Sequence, residues 1–112
     1  MDISSTKVSD SLILSLAGRM DATTTSDFDT AADTALNEGN HKILVDMADL
    51  VYVSSAGLRS FLTLAKKCKT QQGKLCFCCL QPMVAEVFRI SGFDRMLAVF
   101  PEQEAALTSL KG

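Results

Sequence analysis

Two adjacent hydroxyls, Ser54 and Ser55, head the run Ser54-Ser55-Ala56-Gly57-Leu58-Arg59 and are the groups in this chain best placed to do chemistry. They follow an apolar stretch, Ile43-Leu44-Val45-Asp46-Met47, and lead into a segment with helical spacing. A helix start presents unpaired backbone N–H groups and a partial positive charge. A serine there can cap the helix by accepting a backbone N–H, which is worth about 1 kcal/mol. It can also carry a phosphate whose oxygens those N–H groups meet. A single cap accounts for only one of the two hydroxyls.

Nucleophilic catalysis by these serines is not expected. A serine hydrolase needs a base beside its nucleophile, and the only histidine, His41, sits at the start of a strand. The Gly-x-Ser-x-Gly elbow is absent, and Ser-Ala-Gly-Leu-Arg is not a phosphate-binding loop of the Walker type. The chain does not read as an enzyme. Of the four cysteines, Cys68, Cys76, Cys78 and Cys79, three fall in the run Leu75-Cys76-Phe77-Cys78-Cys79-Leu80. Their spacing lacks the two to four intervening residues of zinc motifs. They read as small hydrophobes of a buried strand in a reducing compartment. No cofactor, metal or disulfide is expected.

The elements that hold the serines follow from periodicity. Residues 11–17 alternate as a strand, and residues 2–8 pair with it as an edge strand through a turn at Ser9-Asp10. Gly18-Arg19-Met20-Asp21 leads to the cluster Thr23-Thr24-Thr25-Ser26, an N-cap neighbourhood for a helix that buries Phe28, Ala32, Ala35 and Leu36 and stops at Gly39. Residues 42–47 are apolar almost throughout, as in a strand covered on both faces. The second helix should bury Leu58, Phe61, Leu62 and Ala65. Arg59, Ser60, Thr63, Lys66 and Lys67 take its wetter face, and Leu64 lies off the apolar stripe. A strand over residues 74–80 follows, then a helix from Pro82 with Val84, Val87 and Phe88 inward and a stop at Gly92. A short strand over residues 97–100 precedes a last helix from Pro101, with Leu107 and Leu110 inward. Alternating strands and helices specify an α/β layer with parallel pairing in the middle. The antiparallel edge pair makes the sheet mixed, with four to five strands and about four helices, mainly on one face.

At 112 residues, 47% hydrophobic and 21% charged, the chain is one ordered domain over residues 1–112. A net charge of −2, with no basic run longer than Lys66-Lys67, speaks against a nucleic-acid surface. The start has neither the basic nor the apolar region of a signal peptide, and no apolar run is long enough to cross a membrane. A cytoplasmic protein without membrane insertion is expected.

The stretch from Asp46 through Ser54-Ser55-Ala56-Gly57-Leu58-Arg59 resembles the signature of STAS domains, and most closely that of the bacterial anti-sigma factor antagonists. Gly18-Arg19-Met20-Asp21 is similar to the family's early Gly-x-Leu-Asp motif, with Met for Leu. Gly73-Lys74-Leu75, Pro82 through Phe88, and Ser91-Gly92-Phe93 resemble its later strand, helix and turn. The resemblance spans nearly the whole chain. It implies a partner switch in transcription control. The unmodified antagonist binds an anti-sigma factor that is also a GHKL-type serine kinase, and so frees a sigma factor or another output protein. Phosphorylation by that kinase releases it, and a metal-dependent, PP2C-like phosphatase resets the switch. The phosphoacceptor implied is Ser55, with Ser54 second. Many members read Asp-Ser-Ser-Gly-Leu, and an ungapped alignment puts their acceptor at Ala56, their first serine at Ser55 and their Asp at Ser54. Asp21, Ser54, Ala56, Gly57, Leu58 and Arg59 would form the partner surface near the phosphosite. Asp21 would contact the kinase or orient the hydroxyl, and otherwise serves as a turn residue. A monomer is expected. Such domains also occur as constitutive docking subunits of lipid-trafficking ABC transporters and of stress-sensing assemblies, where a charge at Ser55 would be without effect.

Overall fold

Strands alternate with helices along the chain, and a computed structural model describes them over residues 1–111. The order is β1 (Asp2–Val8), β2 (Ser11–Met20), α1 (Thr25–Asn37), β3 (Lys42–Val53), α2 (Ser55–Thr70), β4 (Lys74–Cys78), α3 (Pro82–Ser91), α4 (Phe93–Met96), β5 (Ala98–Phe100) and α5 (Gln103–Leu110). The five strands lie in sequence order in one sheet. β1 pairs antiparallel with β2 through a two-residue turn, and every later pair is parallel. Parallel neighbours need a crossover, and α1, α2 and the α3–α4 pair provide the three that this sheet requires.

β3 is apolar on both sides because both sides are covered. Ile43, Val45 and Met47 enter the larger core with Phe28 of α1, Phe61 of α2 and Phe88 of α3. Leu44 faces the other way, into a smaller core with Ile13, Cys76, Cys78, Ala106 and Leu110. Phe61 is central to the larger core, its ring centroid 5.2 Å from those of both Phe28 and Phe77 in edge-on contacts. Burial raises the thiols of Cys68 and Cys76 above their ordinary value.

The mixed α/β sheet is as expected, and α1 buries the expected four residues. Several details differ. β3 runs on to Val53, so the serines lie directly at a strand end. α4 is an additional single turn, started by Gly92 in the left-handed region with φ of 80°. α5 covers the opposite sheet face, burying Ala106 and Leu110, while Leu107 is only half-buried. In α2 the buried set is Gly57, Ser60, Phe61, Leu64 and Cys68. Leu64 and Ser60 are thus interior, and Leu62 is half-buried. The cause is α1, which packs along α2 and covers a side that an isolated amphipathic stripe would leave wet. β4 stops at Cys78, so Cys79 lies beyond the strand.

Candidate functional site

The site grows from the junction between the end of β3 and the start of α2. Ser54 is the N-cap, with extended backbone, and its Oγ accepts the Gly57 N–H at 3.2 Å. Ser55 is the first helical residue and is exposed. Among the described residues its hydroxyl has no protein partner, nor do the N–H groups of Ser55 and Ala56, which precede the first intrahelical bond from Leu58 N–H to the Ser54 carbonyl. The first turn of α2 carries no acidic residue, while Lys67 and Lys69 lie in its last turn. No acidic side chain of that first turn therefore offsets the positive end of the helix dipole where Ser55 sits.

Backbone contacts fix this junction to the sheet. The Ser54 N–H donates to the Met20 carbonyl at 2.9 Å, which ties the end of β2, and hence Asp21, to the head of α2. Gly57 is buried against the same place. A Cβ there would lie 2.7 Å from Val53 Cγ2, closer than carbon atoms approach, and in a tight contact of 3.1 Å with Met20 Cγ. Only glycine lets the first turn of α2 sit this tightly on the strand ends. Ala56 and Leu58 are half-buried on either side, with Leu58 packed on the larger core.

Asp21 is held by its own turn. Its Oδ1 accepts the Thr23 hydroxyl at 2.6 Å and the Thr23 N–H at 2.9 Å. These bonds hold its carboxyl below the ordinary value, so it is ionised at neutral pH. The threonine cluster thus departs from the expected helix cap. Thr24 is the N-cap of α1 by position but makes no side-chain cap bond. Its Oγ1 instead accepts the Asp21 N–H at 2.9 Å and donates to the Arg19 carbonyl at 3.0 Å. Thr23 and Thr24 are therefore the residues that position Asp21. The signal for them was present, two hydroxyls within three residues of an aspartate, but it was read for the following helix.

Arg59 is exposed and lines a polar groove of about 280 Å³ between α1 and α2, together with Asp29, Asp33, Thr63 and Lys67. Lys67 is not a free cation there, since it pairs with Asp33 at 2.7 Å. A further cation near the strand ends is Arg19, whose guanidinium lies 4.2 Å from the centre of the Tyr52 ring, a contact the sequence did not announce. Groups able to hold a metal ion, Asp46, Cys78 and Cys79, share no residue with this site. No described helix is long and apolar enough to cross a membrane.

The chain has known relatives. The family model for the STAS domain matches residues 2–106. BtrV of Bordetella bronchiseptica, named an anti-sigma factor antagonist, is 34% identical over 111 residues, covering 99% of this chain and 96% of its own. Among solved structures, an anti-sigma factor antagonist from Mycobacterium paratuberculosis has the same fold with a TM-score of 0.91 at 16% identity, over 99% of this chain and 94% of that one. SpoIIAA in its unphosphorylated form matches with a TM-score of 0.78 at 21% identity, over 93% and 92% of the two chains. The Bacillus SpoIIAA in its phosphorylated form matches at 0.75 and 18% identity, over 98% and 100%. Sheet order, the serine-headed second helix and these matches lead to one placement: the chain belongs to the STAS-domain family, among its anti-sigma factor antagonists.

Proposed function

We propose that this protein is the antagonist in a phosphorylation-controlled partner switch. Its unmodified form binds an anti-sigma factor of the GHKL-type serine kinase class, which then lets go of a sigma factor or another output protein. Phosphorylation at Ser55 ends that binding, and a PP2C-like phosphatase restores it. The observation that carries the choice of Ser55 is the division of labour between the two hydroxyls. Ser54 Oγ is engaged with Gly57 N–H, whereas Ser55 is exposed and its hydroxyl is unengaged among the described residues.

In the transfer step Ser55 Oγ attacks the γ-phosphorus of ATP held by the kinase. The hydroxyl proton passes to a base of the kinase, and ADP leaves. Phosphoserine brings a charge of about −1.5 to −2. The unpaired N–H groups of Ser55 and Ala56, at the positive end of α2, can meet its oxygens without any movement of the fold. The partner bears the cost. A dianion enclosed in the contact loses its water and repels nearby acidic groups, Asp21 included, unless the partner offers a cation. Leu58 and Ala56, both half-buried, supply the apolar part of the contact and Arg59 its charged edge. Gly57, expected from the resemblance on the partner surface, is instead buried against the strand ends and only seats the helix.

The test is phosphate incorporation by the cognate kinase, followed by pull-down of that kinase. Ser55→Ala should take up no phosphate, and Ser54→Ala should still take it up. Ser55→Asp should fail to retain a kinase that wild-type protein retains. Incorporation into Ser55→Ala would move the acceptor to Ser54. Equal retention of the kinase by phosphorylated and unmodified protein would overturn the switch itself.

A further inference from the structure

Cys78 ends β4 and Cys79 follows it. In an extended chain two such neighbours send their side chains to opposite faces of the sheet. Here Cys79 has φ of 64°, a left-handed conformation that side-chain-bearing residues rarely adopt. The turn swings its side chain back, so that the Cys79 thiol donates to the Cys78 sulfur across 3.4 Å. The two thiols share the smaller core beneath α5. Asp46 is the cross-strand partner of Cys78 on β3, and one of its carboxylate oxygens and the two sulfurs all lie within 4.8 Å of one another.

The carboxylate is oriented from both sides. Asp46 Oδ1 accepts the Ala48 N–H at 3.0 Å, and Oδ2 accepts Gln103 Nε2 at 2.8 Å from the first residue of α5. Outer hydrogen bonds of this kind hold metal-ligating carboxylates in place. Cys78 is fully buried, while Cys79 and Asp46 are half-buried, so a small ion can reach the group from the Cys79 side. We propose that Cys78, Cys79 and Asp46 form a binding site for a thiophilic divalent cation of the zinc class.

Geometry favours a cation over a disulfide. Adjacent Cα atoms are about 3.8 Å apart across a trans peptide, short of the roughly 4.4 Å at which ordinary disulfides begin. Two metal–sulfur bonds of about 2.3 Å at a tetrahedral angle hold their sulfurs about 3.8 Å apart, close to the 3.4 Å already present. Binding breaks two S–H bonds and forms two metal–sulfur bonds. Both protons pass to solvent, and nothing is oxidised or reduced. The three protein ligands leave a fourth position to water. The spacing rule that argued against zinc asks for two to four residues between ligands to turn the chain. The left-handed Cys79 brings two adjacent thiols together without them. The site shares no residue with Ser55 and does not depend on the proposed switch.

The experiment is a titration of fully reduced protein with cobalt(II), followed by zinc in competition with a chromophoric chelator. Wild type should bind one cobalt with a thiolate-to-cobalt charge-transfer absorption, and zinc should displace it. Cys79→Ser and Asp46→Asn should each weaken binding about tenfold or more, with circular dichroism unchanged. Cys68→Ala, which alters a thiol of α2, should bind as wild type does. Absence of the charge-transfer band in folded wild type overturns the proposal. So does full affinity in folded Cys79→Ser, or an equal loss in folded Cys68→Ala.

Discussion

Adjacent in sequence, Ser54 and Ser55 differ in what their hydroxyls touch, and that difference is measurable. Ser54→Ala removes the acceptor of the Gly57 N–H and should cost about 1 kcal/mol in urea-induced unfolding. Ser55→Ala removes a hydroxyl without a protein partner among the described residues, so its stability should stay within about 0.5 kcal/mol of wild type. Equal losses in the two variants would mean that the capping role is shared. Gly57 poses a sharper contest between local and tertiary terms. Alanine gains about 1 kcal/mol of helix propensity over glycine. Against this, its Cβ would meet the short, stiff Val53 side chain at 2.7 Å. Overpacking of that kind costs about 1–3 kcal/mol, and Val53 is buried where it has nowhere to turn. The clash should win, leaving Gly57→Ala less stable than wild type by about 1 kcal/mol. A stabilised variant would show that the head of α2 can lift from the strand ends.

At the scale of elements, the turn between β2 and α1 makes a prediction about acid. Hydrogen bonds from Thr23 hold the Asp21 carboxyl below its ordinary value. A group with a lowered folded-state pKa binds its proton more readily when the chain is unfolded, so protonation favours unfolding. Its contribution is fully present above the unfolded value of about 3.9 and is lost as the pH falls through the lower folded value. Asp10, beside Lys42, and Glu86, beside Arg89, are shifted in the same direction and lose their contributions in the same way. Unfolding midpoints compared at about pH 5 and about pH 3 should therefore fall with acid, and Asp21→Asn should fall less than wild type. An identical fall in both would remove Asp21 from the account. These same elements show what a sequence reveals. α1 was legible because its four buried residues form one stripe against one surface. α2 was only partly legible, since its apolar residues form one broad arc and the neighbour α1 decides that Leu64 at the edge of that arc, and Ser60 beside it, are interior. The Ser54–Ser55 junction could be read from spacing alone, whereas the roles of Thr23 and Thr24 could not, because a hydroxyl near a helix start caps or braces according to which donor reaches it. The φ of Cys79 left no trace in composition or periodicity, since cysteine is not a turn residue by propensity.

Taken as a whole, the molecule places the proposed phosphoacceptor, Ser55, on a part that has little freedom to move. The head of α2 is bonded to the end of β2 and pressed through Gly57 against Met20 and Val53, and one turn later Phe61 enters the aromatic centre of the larger core. A well-packed core resists small displacements, so a charge added to the exposed Ser55 should act where it stands. Phosphorylated protein should keep its circular dichroism and its Cα radius of gyration of 12.6 Å, and its amide shifts should move only near residues 20–24 and 53–59. Affinity for the kinase should drop at least about tenfold, or 1.4 kcal/mol. Part of that loss should be recovered at high ionic strength, where repulsion between exposed charges is screened within a few ångströms, while the part due to desolvation should remain. Titration calorimetry at low and high salt, paired with amide spectra of both forms, separates these terms. Shifts that reached α5 on the far face of the sheet would mean that the phosphate acts by moving the fold. A loss of affinity unaffected by salt would assign the release to desolvation alone.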